Sequence, residues 1–154
     1  MINMKKKKLI ILTSSYRMDD RKELLPAIER YDGVYFRLLR KYMREGRLSN
    51  VDILILTERY GLISARKKIP FYIVRGKIGE LSLNEEEIRR IRLDNLKKLK
   101  KISQKYSEIY INVGKQYLKL IEGIESISKC KITYATGNGL GAKATHMKNW
   151  ILSL

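Results

Sequence analysis

The residues with the most chemistry to offer sit at the ends of apolar runs. Gly137-Asn138-Gly139-Leu140-Gly141-Ala142-Lys143 follows one such run and leads into a helical pattern. A glycine-rich turn opening a helix presents free backbone N–H groups and the positive dipole end to an anion. Lys143 and Thr145 add a charge and a hydroxyl. The spacing is G-x-G-x-G, which is neither the dinucleotide fingerprint nor a Walker loop. Glycine is equally what a tight strand-to-helix turn needs for its backbone alone. Thr13-Ser14-Ser15-Tyr16-Arg17 ends the first run. Clustered hydroxyls with Arg17 suit a phosphate or the polar edge of a base, and Ser14 or Ser15 also suits a turn cap. Thr57-Glu58-Arg59-Tyr60-Gly61-Leu62 ends the second. There Glu58 can accept a proton or hydrogen-bond a base, Tyr60 can stack on one, and Arg59 and Gly61 complete the candidate ligand edge. The competing reading is a Glu58–Arg59 surface pair with Tyr60 in the core.

Two further groups could move protons. Asp32, in Tyr31-Asp32-Gly33, precedes a helical stretch and is a natural N-cap as well as a candidate carboxylate. His146, three residues after Lys143, is a candidate proton donor or base, or a structural ring. With one histidine and one cysteine in the chain, multi-His metal centres, cysteine clusters and internal disulfides are excluded. Cys130 reads as buried filler. No metal or cofactor motif is present, so any catalysis rests on Glu58, Asp32 or His146.

The elements that must position these groups follow from periodicity. Leu9–Thr13, Ile53–Thr57, Ile109–Gly114 and Ile132–Thr136 are near-continuous apolar runs, the pattern of strands buried on both faces of a parallel sheet. Helical patterns lie between them at Val34–Glu45, Asn84 to about Tyr106, Gln116–Ile124 and Ala142–Leu152. Tyr35, Leu38, Leu39 and Tyr42 form an apolar stripe on the first. Ser82-Leu83-Asn84-Glu85 has capping-box spacing before the second. Phe71–Val74 is a candidate short strand within irregular sequence. Strands alternating with helices predict one α/β domain over residues 1–154. The fold class is a three-layer α/β/α sandwich around a four-stranded, mainly parallel sheet. Ligands in such folds sit at the carboxyl ends of the strands. The loops carrying the groups above should converge there.

The chain has 154 residues, 33 Lys plus Arg against 16 Asp plus Glu, and a formal net charge of +17. An excess of this size steers a protein towards polyanions. The helix from Asn84 carries a dense basic face, with Arg89, Arg90, Lys97, Lys98 and Lys101 as candidate nucleic-acid contacts. With 44% apolar residues the chain can bury a core and is not a basic tail. Richness in Lys, Arg, Ile and Glu with few glutamines is a bias of proteins from hot environments. No apolar run approaches the roughly 18 residues of a membrane span. Leu9–Leu12, after the basic start Met1–Lys8, is too short for a signal-peptide core. The expectation is a soluble cytoplasmic protein without membrane contact.

Taken together, the motifs resemble an uncharacterised prokaryotic family whose signature is an "LSAKYGLL…PY" segment. Here it reads Leu56-Thr57-Glu58-Arg59-Tyr60-Gly61-Leu62-Ile63, followed by Pro70-Phe71-Tyr72. The likeness runs from Leu9 to Trp150. It includes the hydroxyls after the first run, the helix start at Tyr31–Arg37 and the terminal glycine turn. Related segments occur in the YaaA peroxide-stress proteins and in the middle domain of archaeosine synthase, a tRNA-modifying enzyme. The resemblance implies an α/β/α sandwich similar to uracil-DNA glycosylases, and an association with nucleic acid. Glu58-Arg59 replaces the usual Ala-Lys. The glycosylase motifs G-Q-D-P-Y and H-P-S-P have no counterpart after the first and last runs.

Three functions follow. The first is a stand-alone nucleic-acid-associated domain, serving tRNA modification or DNA damage, that binds a nucleotide or base at the strand ends. The second is a small enzyme acting on a free nucleotide or modified base. The third is a non-catalytic subunit of a larger tRNA-modification enzyme, which an exposed apolar face on the Val34–Glu45 helix would favour.

Overall fold

A computed structural model describes residues 6–154. Residues 1–5, in the basic start, lie outside the described residues. In chain order the elements are β1 (Lys7–Thr13), β2 (Leu25–Pro26), α1 (Ala27–Arg30), α2 (Val34–Arg44), β3 (Val51–Thr57), β4 (Gly61–Ser64), β5 (Lys68–Ile69), α3 (Glu85–Ile102), β6 (Tyr106–Asn112), α4 (Ile124–Ile127), β7 (Lys131–Tyr134) and α5 (Gly139–Leu152). Short 3-10 turns cover Ser103–Lys105 and Tyr117–Ile121.

The main sheet has the order β4-β3-β1-β6-β7. The four strands expected from the apolar runs are parallel to one another. Leu9–Leu12 of β1, the middle strand, are fully buried, because both faces of a parallel sheet are covered. Side-chain alternation splits the core in two. Ile10, Leu12, Ile53, Ile55 and Tyr110 face α1, α2 and α5, packing on Ala27, Phe36, Leu39, Met147 and Ile151. Leu9, Ile11, Leu56, Ile109 and Ile111 face the other layer, packing on Leu99, Leu120, Ile121 and Ile124. The architecture is therefore an α/β sandwich with helices on both faces.

The structure corrects several expectations. The sheet has five strands, not four, because Gly61–Ser64 folds back on β3 as an antiparallel edge. A four-residue strand carries too little alternation to show in sequence. Phe71–Val74 forms no strand. The pairing nearby is made instead by Lys68–Ile69 with Leu25–Pro26. Gln116–Ile124 is not one helix, because Gly123, at φ +98, separates the 3-10 turn from α4. The capping box of α3 uses Asn84 and Glu87, whose side chains and backbone N–H groups exchange bonds of 2.8 and 3.2 Å. The last helix starts at Gly139 rather than Ala142, which places Lys143 beyond its first turn.

Chain direction creates the crevice that matters. From β1 the chain crosses to β3 through α1 and α2 on one face. After β6, on the other side of β1, it turns to the opposite face through Tyr117–Ile121. The loops leaving β1 and β6 therefore part company, and such a switch point opens a cleft outside the carboxyl ends of those strands.

Candidate functional site at the switch point

A cavity of about 830 Å³ occupies this cleft. Its walls include Thr13 to Arg17 after β1, Glu58 and Arg59 after β3, Asn112 and Gly114 at the end of β6, and Gly139, Leu140 and Lys143 of α5. The segment from Tyr72 to Leu83 closes another side, and Gly33 to Phe36 bring in the start of α2. The structure thus unites Ser14, Ser15, Arg17, Glu58, Arg59, Gly139 and Lys143 from the candidate ligand set.

The second loop is a hairpin. Thr57 Oγ1 donates to the Gly61 carbonyl at 3.0 Å and accepts the Tyr60 N–H at 2.7 Å. Gly61 takes φ +67, a left-handed conformation that favours glycine. This turn puts Glu58 and Arg59 at its tip. Glu58 Oε1 accepts the Ser82 N–H at 2.8 Å and the Ser82 hydroxyl. Arg59 lies 4.9 Å over the Tyr72 ring and 5.7 Å from that of Tyr60. Tyr72 in turn meets Tyr31, hydroxyl to hydroxyl at 2.5 Å. Tyr60 packs edge-on against Tyr72, so it and Gly61 support the wall without lining it.

Other candidates take structural roles. Ser15 Oγ donates to the Arg17 carbonyl at 2.6 Å and accepts the Gly33 N–H at 3.2 Å, so its hydroxyl ties the first loop to α2. Asp32 is neither the N-cap, which is Gly33, nor a cavity group. Arg40 and Arg37 bind it at 2.6 and 3.1 Å, with Arg17 at 3.7 Å. The hydrogen bond from Arg37 holds its carboxyl below the usual range against the opposing effect of burial, with Arg40 assisting. His146 does not line the cavity; its Nδ1 lies 2.7 Å from the Tyr110 hydroxyl and its ring is stacked on Tyr110. Gly137, Asn138 and Gly141 do not line the cavity. A Cβ on Gly137 would come within 2.6 Å of Ala142 Cβ, so this glycine closes the turn.

Three functional positions escaped sequence reasoning. Tyr117, only 8% exposed, lines the cavity beside Glu58 and Ser14; burial, then the nearby Glu58 charge, pushes its phenol up to about 12. It therefore stays protonated at neutral pH. Asn112, at the end of β6, lines the cavity. Arg30 is fully buried and donates to the carbonyls of Asp19, Arg21, Glu23 and Ile69, holding the loop after β1 in shape. Each is a residue whose partners are distant in sequence or purely backbone.

The electrostatics of the cavity are one-sided. Arg17, Arg59, Arg75, Lys77 and Lys143 line it against Glu58 and Glu80. The N-termini of α2 and α5 both reach it, and neither has a side-chain cap or an acidic residue in its first turn. Their unsatisfied N–H groups and dipoles favour an anion. Val34, Tyr35, Phe36, Ile73, Val74, Ile78 and Leu140 provide apolar wall.

The basic face of α3 lies outside this cavity. Arg89, Arg90, Lys97, Lys98 and Lys101 are exposed, and among the described residues none pairs with a carboxylate. Among the described residues there is also no cluster fit for a metal ion and no helix long and apolar enough to cross a membrane. The chain matches no family model, no curated protein and no solved structure.

Proposed function

We propose that the cavity binds a nucleotide or base and that the chain is a stand-alone nucleic-acid-associated domain. The observation that carries this reading is the convergence of two uncapped helix N-termini and five cationic side chains on one largely apolar and aromatic cleft. That combination suits a ligand with an anionic end and a flat, weakly polar body. The exposed cations of α3 supply a sequence-independent attraction to polyanions, with tRNA or DNA as the polymer. The resemblance of the Leu56–Ile63 and Pro70–Tyr72 segments to the YaaA and archaeosine-synthase signature supports the same direction.

The test is equilibrium binding of the four nucleoside 5′-monophosphates, tRNA and duplex DNA at low and moderate salt. Saturable nucleotide binding weakened by Arg59→Ala and Lys143→Ala is expected, together with salt-sensitive polymer binding. Absence of both at low salt overturns the proposal.

A second reading, a small enzyme on a free nucleotide, rests on Glu58 and the protonated Tyr117 facing one cavity. A carboxylate and a phenol of that kind form an acid–base pair. Turnover abolished by Glu58→Gln with nucleotide affinity retained would favour it. The docking-subunit reading gains no support from α2, whose Phe36, Leu39 and Tyr42 are buried in the core.

A further inference from the structure

The cavity wall that follows β5 is held differently from the others. From Phe71 to Leu81 the chain is neither helix nor strand. Among the described residues its backbone makes one backbone–backbone hydrogen bond, from the Glu80 N–H to the Lys77 carbonyl at 3.1 Å, and that bond is its own. The segment is fastened at its two ends. The Tyr72 hydroxyl meets that of Tyr31, and the Ser82 N–H and hydroxyl donate to Glu58. Between these ties Gly76 and Gly79, at φ +83 and +81, give the chain its bends. A segment with so few internal bonds opens and moves at little cost. Ile73 and Ile78 line the cavity from this strap, yet they are 81% and 77% exposed. Val34 and Leu140, at the starts of α2 and α5, line the same cavity and are also exposed. Apolar groups left in water on two sides of one space gain by meeting.

We propose that the Ile73–Glu80 strap is a lid that an anionic ligand closes, bringing Ile73 and Ile78 towards Val34 and Leu140 and Arg75 and Lys77 towards the anion. The inference rests on the reading above that the cavity takes a phosphate-bearing ligand. Charge supplies the switch. Arg75 and Lys77 of the strap line the cavity opposite Arg17, Arg59 and Lys143 of the other walls. Among the described residues neither Arg75 nor Lys77 pairs with a carboxylate. Like charges around one space repel, which holds the strap off in the free protein. A phosphate between them turns that repulsion into attraction. The ligand therefore favours the closed state over the open one, as any ligand-driven change requires. Closure then buries the aliphatic side chains and excludes water from the ligand.

The experiment needs no variant in its first arm. Binding of the four nucleoside 5′-monophosphates and of ribose 5-phosphate is measured directly. Amide hydrogen exchange of the wild-type protein is then followed with and without a saturating amount of the probe that binds most tightly. In the free protein the strap amides should exchange nearly as fast as in an unstructured peptide. With the probe bound they should slow by about ten-fold or more. In the second arm Ile73 and Ile78 are both replaced by Ser. Because these side chains stand in water, the melting temperature of the free protein should not move. The protection should disappear, and the probe should dissociate about ten-fold faster. Slow strap exchange already present in the free protein overturns the inference. A bound probe with unchanged strap exchange also overturns it and leaves the cavity reading standing. Wild-type protection and dissociation rate in the double variant overturn it too. No binding of any probe removes the nucleotide reading, and the lid with it.

Discussion

Asn95 and Gly61 are locked together across the edge of the sheet. Asn95 Oδ1 accepts the Leu62 N–H at 3.1 Å while its Nδ2 donates to the Leu120 carbonyl at 2.9 Å. A Cβ on Gly61 would come within 2.9 Å of that same Oδ1. The buried amide thus joins α3 to β4 and to the turn after β6, and it can do so only because residue 61 lacks a side chain. Gly61→Ala should lower stability by about 1–3 kcal/mol from left-handed strain alone. Because Glu58 and Arg59 ride on this hairpin, nucleotide binding should weaken as well. Chemical denaturation and a binding titration on the same preparation check both effects.

Asp32 predicts an acid limb in the stability profile. Its folded pKa is lowered, chiefly by the hydrogen bond from Arg37. The contribution of the Arg40–Asp32–Arg37 cluster is then fully present above the unfolded carboxyl value of about 4. It is lost as pH falls through the lowered folded value. Asp32→Asn should be less stable than wild type at neutral pH, and the two should converge towards strongly acidic pH. Since Asp32 lies outside the cavity, nucleotide binding should persist. Thermal denaturation from strongly acidic to neutral pH, with a binding assay at neutral pH, decides this; lost binding with unchanged stability would return Asp32 to the site.

The parallel core was legible because Leu9–Leu12 and Ile109–Ile111 are buried, and Ile53–Leu56 buried except for the half-buried Leu54, so that they read as unbroken apolar runs. The convergence of Ser14, Glu58 and Lys143 followed from strand direction alone. What stayed hidden depends on strand order and long-range pairing. Asn112 gains its meaning only once β6 is known to lie beside β1. Arg30 looked like any surface arginine of a basic chain, yet its partners are carbonyls up to 39 residues away. Asp32 and Ser82 misled by their local cap patterns. Arg37 and Arg40 capture the first, and Glu58 captures the second.

His146 serves as a further control. Its hydrogen bond with the Tyr110 hydroxyl, set against the Tyr110–Trp150 stack at 4.6 Å between centroids, anchors α5 to β6. His146→Ala should cost about 0.5–1.5 kcal/mol for the missing hydrogen bond, plus the ring's packing on Tyr110. The pH dependence of nucleotide binding should remain as in wild type. A changed pH profile for binding would place the imidazole in the site after all.

The α3 face separates polymer from monomer binding. Replacing Arg90, Lys97 and Lys101 by Glu should weaken tRNA and DNA binding, lowering the log–log salt slope by about 0.7–0.9 for each phosphate no longer neutralised. Nucleoside monophosphate affinity should not move, because these side chains do not line the cavity. An unchanged slope would assign them to a solvated face.

Lys143 tests the mouth of the cavity. It is partly buried and lines the cleft beyond the first turn of α5, whose start at Gly139 carries no acidic residue and no side-chain cap. The helix dipole falls off within the first turn, so in the free protein it neither favours nor much opposes a lysine at this position. An anion held between Lys143 and the N-termini of α2 and α5 would give the charge its partner. Lys143→Ala should therefore leave the melting temperature of the free protein level or slightly raised. Nucleotide and ribose 5-phosphate binding should both weaken by about 1.5–3 kcal/mol, the range of a charge-assisted hydrogen bond. The loss should be the same for every base, because the lysine meets the phosphate and not the ring. Equal affinity of variant and wild type for all phosphates would leave the glycine turn with its structural duty alone and shift the anion to Arg17 and Arg59.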